Sequence, residues 1–337
     1  MMADGTEAEG RGPAVTAQDG IAAGVRIFGW IMLASLVVFL INNCLTNWMN
    51  WPGPTAVFNG EASAMAWMQV IGFPVAWVIA ILHVLRTKMR GLREESDIIS
   101  NINAVVIRMA FFVVLYVGLA DAAVSFLRVE GLLPAVVGDK MTTDLSISSY
   151  RAMHVHLPLI ALGMLTGAFT RTLGFHWLAL MAVGAELLIV ITRFVFSYEQ
   201  AFMADLVRFW YAALFLFASA HTLLEEGHVR VDVLYAGFSD KAKGKVNAFG
   251  SVLLGISLCW VVLIIGMYGK AAIINSAILA FETTQTGFGM YVKYLMAAFL
   301  GIFAISMLIQ FVSYLIEAVA DWRGEPGGRD HDVHAVQ

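Results

Sequence analysis

The chain has 337 residues, of which 59% are hydrophobic and 14% are charged, with a formal net charge of -4. A water-soluble fold of this composition would leave a large apolar surface uncovered, so the sequence indicates an integral membrane protein. The sequence has no Lys- or Arg-rich tract of the kind that binds nucleic acid. Cys44 and Cys259 lack the spacing of a disulfide framework or a thiolate metal site.

The two ends of the chain are polar and irregular. Residues 1–23 open with an acidic, Gly-rich stretch that lacks the basic start and cleavage site of a secretory signal. We therefore expect a disordered cytoplasmic tail there. Residues 323–337 are predicted to form a second such tail, with His331 and His334 in solvent rather than on a metal.

Eight apolar stretches have the length of roughly 20 residues that a helix needs to cross the hydrocarbon layer. They lie near 25–45, 65–85, 104–127, 152–170, 173–196, 207–224, 246–268 and 295–319. The predicted fold class is therefore all-α, a polytopic membrane protein with about eight transmembrane helices. The weakest of them is 152–170, because it contains His154, His156 and Pro158 and is followed by only a short turn.

The distribution of Lys and Arg predicts that both termini are cytoplasmic, because basic loops are retained on that side during insertion. Two loops are dense in these residues, one between spans two and three and one between spans six and seven. They contain Arg86, Lys88, Arg90 and Arg93, and Arg230, Lys241, Lys243 and Lys245. The loop 128–151 fits least well, since it should be periplasmic yet contains Arg128, Lys140 and Arg151.

Four ionisable residues lie inside predicted spans, where charges are expensive and indicate function. They are Arg108 and Asp121 in span three and Glu186 and Arg193 in span five. The last two share a helix face but are about 10 Å apart along the axis, so each needs a partner on another helix. Asp205 and Arg208 are candidates for such a network. We interpret the four as polar clamps between helices, with a proton or ion path as the alternative.

Histidines raise the possibility of haem, as in membrane b-type cytochromes. His83, His176 and His221 all lie toward the predicted cytoplasmic side, so no pair is placed to hold one ring from both faces. The sequence also lacks a phosphate loop, a nucleophile elbow and a zinc-protease motif. We therefore expect a chain that is not an enzyme and has no cofactor, metal or catalytic residue.

The stretch GHVRVDVLYAGFS, residues 227–239, joins spans six and seven and fits two periods. With a period of two, His228, Arg230 and Asp232 alternate with valines, which is typical of a half-buried strand. With a period near 3.6, one apolar face forms, as expected for a helix lying flat at the membrane surface. That face contains Val231, Leu234, Tyr235 and Phe238.

Residues 174–322 resemble the small membrane subunit, of the DctQ type, of tripartite ATP-independent periplasmic (TRAP) transporters. The resemblance rests on HTLLEEGHVRVDVLYAGFSDKAKGKVNAFG at the end of span six and on SAILAFETTQTGFGMYVKYL between spans seven and eight. It divides the chain into an N-terminal extension of four spans, 24–173, and a four-span domain, 174–322, with a cytoplasmic interfacial connector at 227–245.

The resemblance implies a non-catalytic subunit in the inner membrane of a bacterium. Its partners would be a large elevator-type membrane subunit, a periplasmic solute-binding protein and the lipid bilayer. Together they would take up an organic anion, commonly a carboxylate, with sodium. In this interpretation His228, Arg230, Asp232 and the apolar face of the connector contact the large subunit. The alternatives are a haem b electron-transfer anchor and a self-sufficient channel or carrier.

Overall fold

The structure, a computed structural model, describes residues 20–171, 175–198, 200, 202–225, 235–281 and 289–327. In this part of the chain the regular structure is helical throughout. The long helices are α1 (Gly20–Asn47), α2 (Ala64–Arg86), α3 (Leu92–Val129), α7 (Leu157–Phe169), α8 (Phe175–Phe196), α9 (Met203–Leu224), α10 (Asp240–Gly250), α11 (Ser257–Met267) and α13 (Lys293–Arg323). Shorter helices are α4 (Leu133–Val137), α5 (Asp139–Leu145), α6 (Ser148–Arg151) and α12 (Ile273–Ala280).

The described residues form eight helical stretches that are long and apolar enough to cross a membrane, which confirms the predicted fold class. Two of them contain a π-helical turn. The fourth, Ser148–Phe169, joins α6 to α7 through Ala152–His156, and the seventh, Asp240–Met267, joins α10 to α11 through Ser251–Ile256. The predicted span 152–170, which had the weakest sequence signal, therefore corresponds to a helical stretch of 22 residues, Ser148–Phe169.

Helix α13 packs in both hydrophobic cores of the bundle. One core combines side chains of α3, α8, α9 and α13, and in it the Phe209 and Phe217 rings both contact the Phe299 ring. The other combines side chains of α1, α3, α11 and α13, including Leu263 and Val312. Because α3 also contributes to both, α3 and α13 form the central pair around which the remaining helices pack.

Two glycines on α7 bring that helix into backbone contact with α3. A methyl group at Gly163 would lie 2.6 Å from the Val113 nitrogen, and one at Gly167 would lie 2.5 Å from the Met109 Cα. Glycines four residues apart on one helix face allow this approach, and dispersion contacts over the resulting flat surface hold membrane helices together. The sequence GMLTG at 163–167 is therefore the reason that α7 packs on α3.

A row of small polar side chains joins α3 to α13, and we call it the α3–α13 seam. Ser96 and Ser100 both lie within 2.8 Å of the Ser313 hydroxyl, and Asn103 donates to the Ser306 carbonyl at 2.9 Å and to Gln310 at 3.1 Å. The members are Ser96, Ser100, Asn103, Ser306, Gln310 and Ser313. All six are buried and each has a partner, so the seam fixes the register of the two helices.

Similar bonds connect α1 to its neighbours. Asn42 donates to the Gln69 carbonyl of α2 at 3.1 Å, and the Trp77 indole donates to the Ser35 hydroxyl at 2.9 Å. Asn43 donates to the Met267 carbonyl at the end of α11, at 2.6 Å. The first helix of the extension is thereby bonded both to α2 and to the seventh membrane-length helix.

Candidate functional site: polar clusters in the helical bundle

Asp121, on α3, is the centre of a fully buried cluster that joins three parts of the chain. Its Oδ1 accepts a hydrogen bond from Arg151 at 2.9 Å, and its Oδ2 accepts one from the backbone N–H of Tyr291 at 2.8 Å. The Arg151 guanidinium also lies 4.1 Å from the centre of the Tyr291 ring. Asp121 therefore connects α3 both to the last residue of α6, within the extension, and to the segment before α13.

His156 completes this Asp121 cluster. Its Nε2 lies 3.1 Å from Asp121 Oδ1, and its Nδ1 lies 2.9 Å from the Tyr294 hydroxyl. A neutral ring with the proton on Nε2 satisfies both contacts, because the carboxylate can only accept and the tyrosine can then donate. The π-helical turn at 152–156 ends at His156. The extra residue per turn alters the direction of the side chains that follow Arg151.

The Arg residues of the loop 128–151 fitted the predicted topology poorly, and the structure gives the reason. Arg151 is completely buried against Asp121. Arg128 donates to the Tyr291 hydroxyl at 2.6 Å and to the Gly289 carbonyl at 3.0 Å. Both cations are therefore bound within the bundle rather than free in a loop. Near them Tyr198 donates to Glu130, and this hydrogen bond raises the pKa of Tyr198.

A second buried cluster lies where α1, α2 and α3 meet. Glu95 accepts from Arg26 at 2.6 Å and from the Trp30 indole at 2.5 Å, and all three side chains belong to the extension. Arg26 also donates to the Thr87 hydroxyl at 2.7 Å and to its carbonyl at 3.0 Å. Arg26 and Glu95 are both fully buried, so this pair depends on its hydrogen bonds for compensation.

A third cluster closes the end of the α3–α13 seam. Arg93 of α3 donates to Glu317 and, at 2.9 Å, to Asp321, both on α13. It also donates to the carbonyls of Glu325 and Pro326, at 2.8 and 3.0 Å. The described residues of the predicted tail at 323–337 are therefore packed against α3 as far as Pro326. Residues 328–337 lie outside the described part of the chain.

Glu186 and Arg193 differ from all these groups. Both are exposed on α8, and neither forms an ion pair or hydrogen bond with a described residue. The expected network with Asp205 and Arg208 is not formed. Asp205 lies 3.9 Å from Arg208 and 3.4 Å from Lys293, and it accepts from the Met290 N–H at 3.3 Å. The side chains of α8 that are buried point toward α9 and are small or aliphatic.

Arg108 on α3 also lacks a partner among the described residues. Its side chain is half-buried, and its Nε is shielded from solvent without a hydrogen bond. Of the four ionisable residues that the sequence singles out, the structure brings only Asp121 together with an oppositely charged group. The partners of Asp121 were not predicted. Arg151 and His156 lie near the start of the next membrane-length helix, Ser148–Phe169.

Most of the connector residues lie outside the described part of the chain. These are His228, Arg230, Val231, Asp232 and Leu234. Tyr235 and Phe238 are described, in a turn before α10 rather than in a helix. The Tyr235 hydroxyl accepts from Asn247 of α10 at 2.8 Å, while Phe238 is 44% exposed.

Within the described residues no group of three or more His, Cys, Asp and Glu side chains is placed to hold a metal ion. The clusters instead consist of ion pairs and hydrogen bonds between helices. The fold and these clusters thus define an all-α polytopic membrane protein whose membrane-spanning helices are tied together by buried polar contacts.

The comparison with known families gives a more specific assignment for the second half of the chain. Residues 182–321 match the family model of the tripartite ATP-independent periplasmic transporters, DctQ component. The match confirms the resemblance inferred from the sequence, and the helices α1–α7 precede it as an N-terminal extension. No curated protein and no solved structure matches the chain.

Proposed function

We propose that the chain is the non-catalytic small permease subunit of a TRAP-type secondary transporter in a bacterial inner membrane. It would brace a large elevator-type subunit during sodium-coupled uptake of an organic anion, in most cases a carboxylate. A periplasmic binding protein would deliver that anion. The observation that supports this proposal is the family match over residues 182–321.

The internal bonding of the bundle suits a brace. A stationary scaffold must keep its shape while an elevator subunit moves against it, and buried polar contacts are a means of fixing helix register. The α3–α13 seam is continued by the Arg93 cluster at one end, and further along α3 Asp121 is bonded to Tyr291, just before α13. Helices α3 and α13 are therefore bonded to each other from Arg93 to Asn103.

The seam also gives the extension a role in this proposal. Helix α13 lies within the DctQ match, whereas α3 precedes it. The contacts that join the two helices are therefore contacts between the extension and the DctQ region. We infer that the extension supports α13 from one side. Within the DctQ match, α8 and the helix formed by α10 and α11 are among those that keep exposed apolar side chains toward a large subunit.

The proposal is tested by expressing the affinity-tagged chain with a large TRAP membrane subunit and a solute-binding protein from the same genome. We expect the large subunit to copurify, and we expect sodium-dependent uptake of labelled carboxylates only when all three proteins are present. Uptake that persists at full rate without this chain would contradict the bracing role. Transport by the chain alone in proteoliposomes would favour a self-sufficient carrier instead.

A further inference from the structure

A carboxylate with no partner among the described residues lies halfway along the membrane-spanning helix α8. Glu186 follows the first residue of α8 by 11 positions and precedes the last by 10, so it is about 15 Å from either end. The hydrocarbon layer is about 30 Å thick, so this side chain lies near its centre. It is exposed on the surface of the chain rather than turned into the bundle.

Three carboxylates on other membrane-length helices are paired inside the bundle. Glu95 binds Arg26, Asp121 binds Arg151, and Asp205 lies near Lys293. Intramembrane charges are costly in lipid and, where they occur, face a partner or an aqueous cavity. Glu186 breaks this pattern within the described part of the chain, which indicates that its partner belongs to another molecule.

Arg193 is on the same face of α8 and is likewise exposed and unpaired. It cannot neutralise Glu186, because seven residues correspond to about 10 Å along the axis. It lies three residues before the last residue of α8, close to the end of the span. The face of α8 with Glu186 and Arg193, here the α8 charged face, therefore presents a negative charge at mid-membrane and a positive charge nearer the surface.

We propose that the α8 charged face is the docking site for a transmembrane helix of the large subunit. That helix would place a basic side chain opposite Glu186 and an acidic or carbonyl acceptor opposite Arg193. The inference rests on the proposed function and adds the side of the chain at which the two subunits meet. Both residues belong to the region that matches the DctQ component.

A second copy of this chain does not fit the same face. Two copies inserted in the same orientation and related by a two-fold axis along the membrane normal would place Glu186 against Glu186. Arg193 of the second copy would remain about 10 Å away in depth. The charge pattern is therefore complementary to a different chain and repulsive toward itself.

The neighbours of α8 leave this face accessible. Of the α8 residues whose burial the structure describes, only Leu178, Ala182 and Ala185 are buried. They lie on the side that packs against α9, which is centred roughly 70° round the helix from Glu186 at 3.6 residues per turn. The α8 charged face therefore borders this contact and stays exposed. Among the described helices of the extension, α3 packs against α8, and Glu186 and Arg193 nevertheless remain exposed.

Site-specific photo-crosslinking tests the position of the partner while Glu186 and Arg193 remain intact. A photo-crosslinking amino acid replaces Val190, which lies beside the charged face, or Val195, which lies on the opposite side of α8. These are matched positions, since both are valines and are 50% and 68% exposed. With all three transporter proteins present, we expect a cross-link to the large subunit from position 190 and little or none from position 195.

Charge reversal tests the interaction itself. Glu186→Lys should lower the amount of copurified large subunit at least tenfold, whereas Leu188→Lys, an exposed position at the same depth on the other side, should lower it less than twofold. Glu186→Gln, which preserves shape, should give an intermediate loss. Membrane levels of each variant are measured to normalise the yield.

The outcomes separate this inference from the proposed function. A wild-type complex that forms normally, with Glu186→Lys and Glu186→Gln copurifying as well as the wild type, would overturn the docking site and leave the subunit assignment intact. A cross-link from position 190 to a second copy of the chain would also overturn it. A wild-type chain that binds no large subunit would instead refute the proposed function.

Discussion

Replacing Asp121 by alanine should destabilise the bundle more than any single exposed substitution. The change leaves the Arg151 guanidinium buried without its counter-ion, and leaves the Tyr291 N–H and His156 Nε2 without an acceptor. Removing one partner of a buried ion pair typically costs about 3–5 kcal/mol. Because every side chain in the pair is fully buried, we expect a value in that range for the free energy of unfolding.

The double variant Asp121→Ala/Arg151→Ala provides the sharper test. Removing Arg151 as well abolishes the uncompensated cation, so the pair of substitutions should be less damaging than the sum of the two single ones by about 2 kcal/mol. Unfolding in a denaturing detergent, followed by the fluorescence of the nine tryptophans, measures each variant. Asp139→Ala, at an exposed carboxylate, is the control and should have no effect. Strict additivity of the two single substitutions would refute the assignment of Asp121 as the counter-ion of Arg151.

Three further predictions concern packing, the connector and topology. Gly167→Leu should separate α7 from α3 and lower the free energy of unfolding by about 1–3 kcal/mol in the same assay, because overpacking of a tight contact is unfavourable. Gly184→Leu is the control and should be tolerated, because a Cβ at that position would have nothing within 4 Å. Phe238→Asp should leave the chain inserted but reduce both copurification with the large subunit and uptake, while Lys243→Ala should change neither; equal effects would exclude the apolar connector face as a contact. A reporter fused at residue 242 should report the cytoplasm and one in the loop after α1 the periplasm, as the Lys and Arg distribution requires, and the opposite result would reverse the orientation.

The sequence predicts the membrane-length helices well because their signal is simple. An apolar run of the required length is visible in one stretch of chain and depends on no distant residue. The same local argument located span four despite His154 and His156. The π-helical turn there was not predicted, since one extra residue in a turn leaves the hydropathy of the stretch unchanged.

Pairing between helices was harder to predict, because it depends on which helices become neighbours. Asp121 could be singled out as a charge in an apolar span, but Arg151 was assigned to a periplasmic loop. The α3–α13 seam left a signal that could have been used: Ser96, Ser100 and Asn103 follow the spacing of one helix face. Glu186 and Arg193 were located correctly in span five, but the sequence could not show that they face outward.

The central position of α13 has a consequence for how the protein is made. The helices of the extension are translated first, yet Arg93, Asn103 and Asp121 find acceptors or donors on or next to α13, which is the last of the eight membrane-length helices to be synthesised. Until then these polar groups must be shielded by other means, at the insertion machinery or by transient partners. A ribosome that stalls before α13 would therefore release an inserted but incompletely paired intermediate, which is a substrate for membrane quality control.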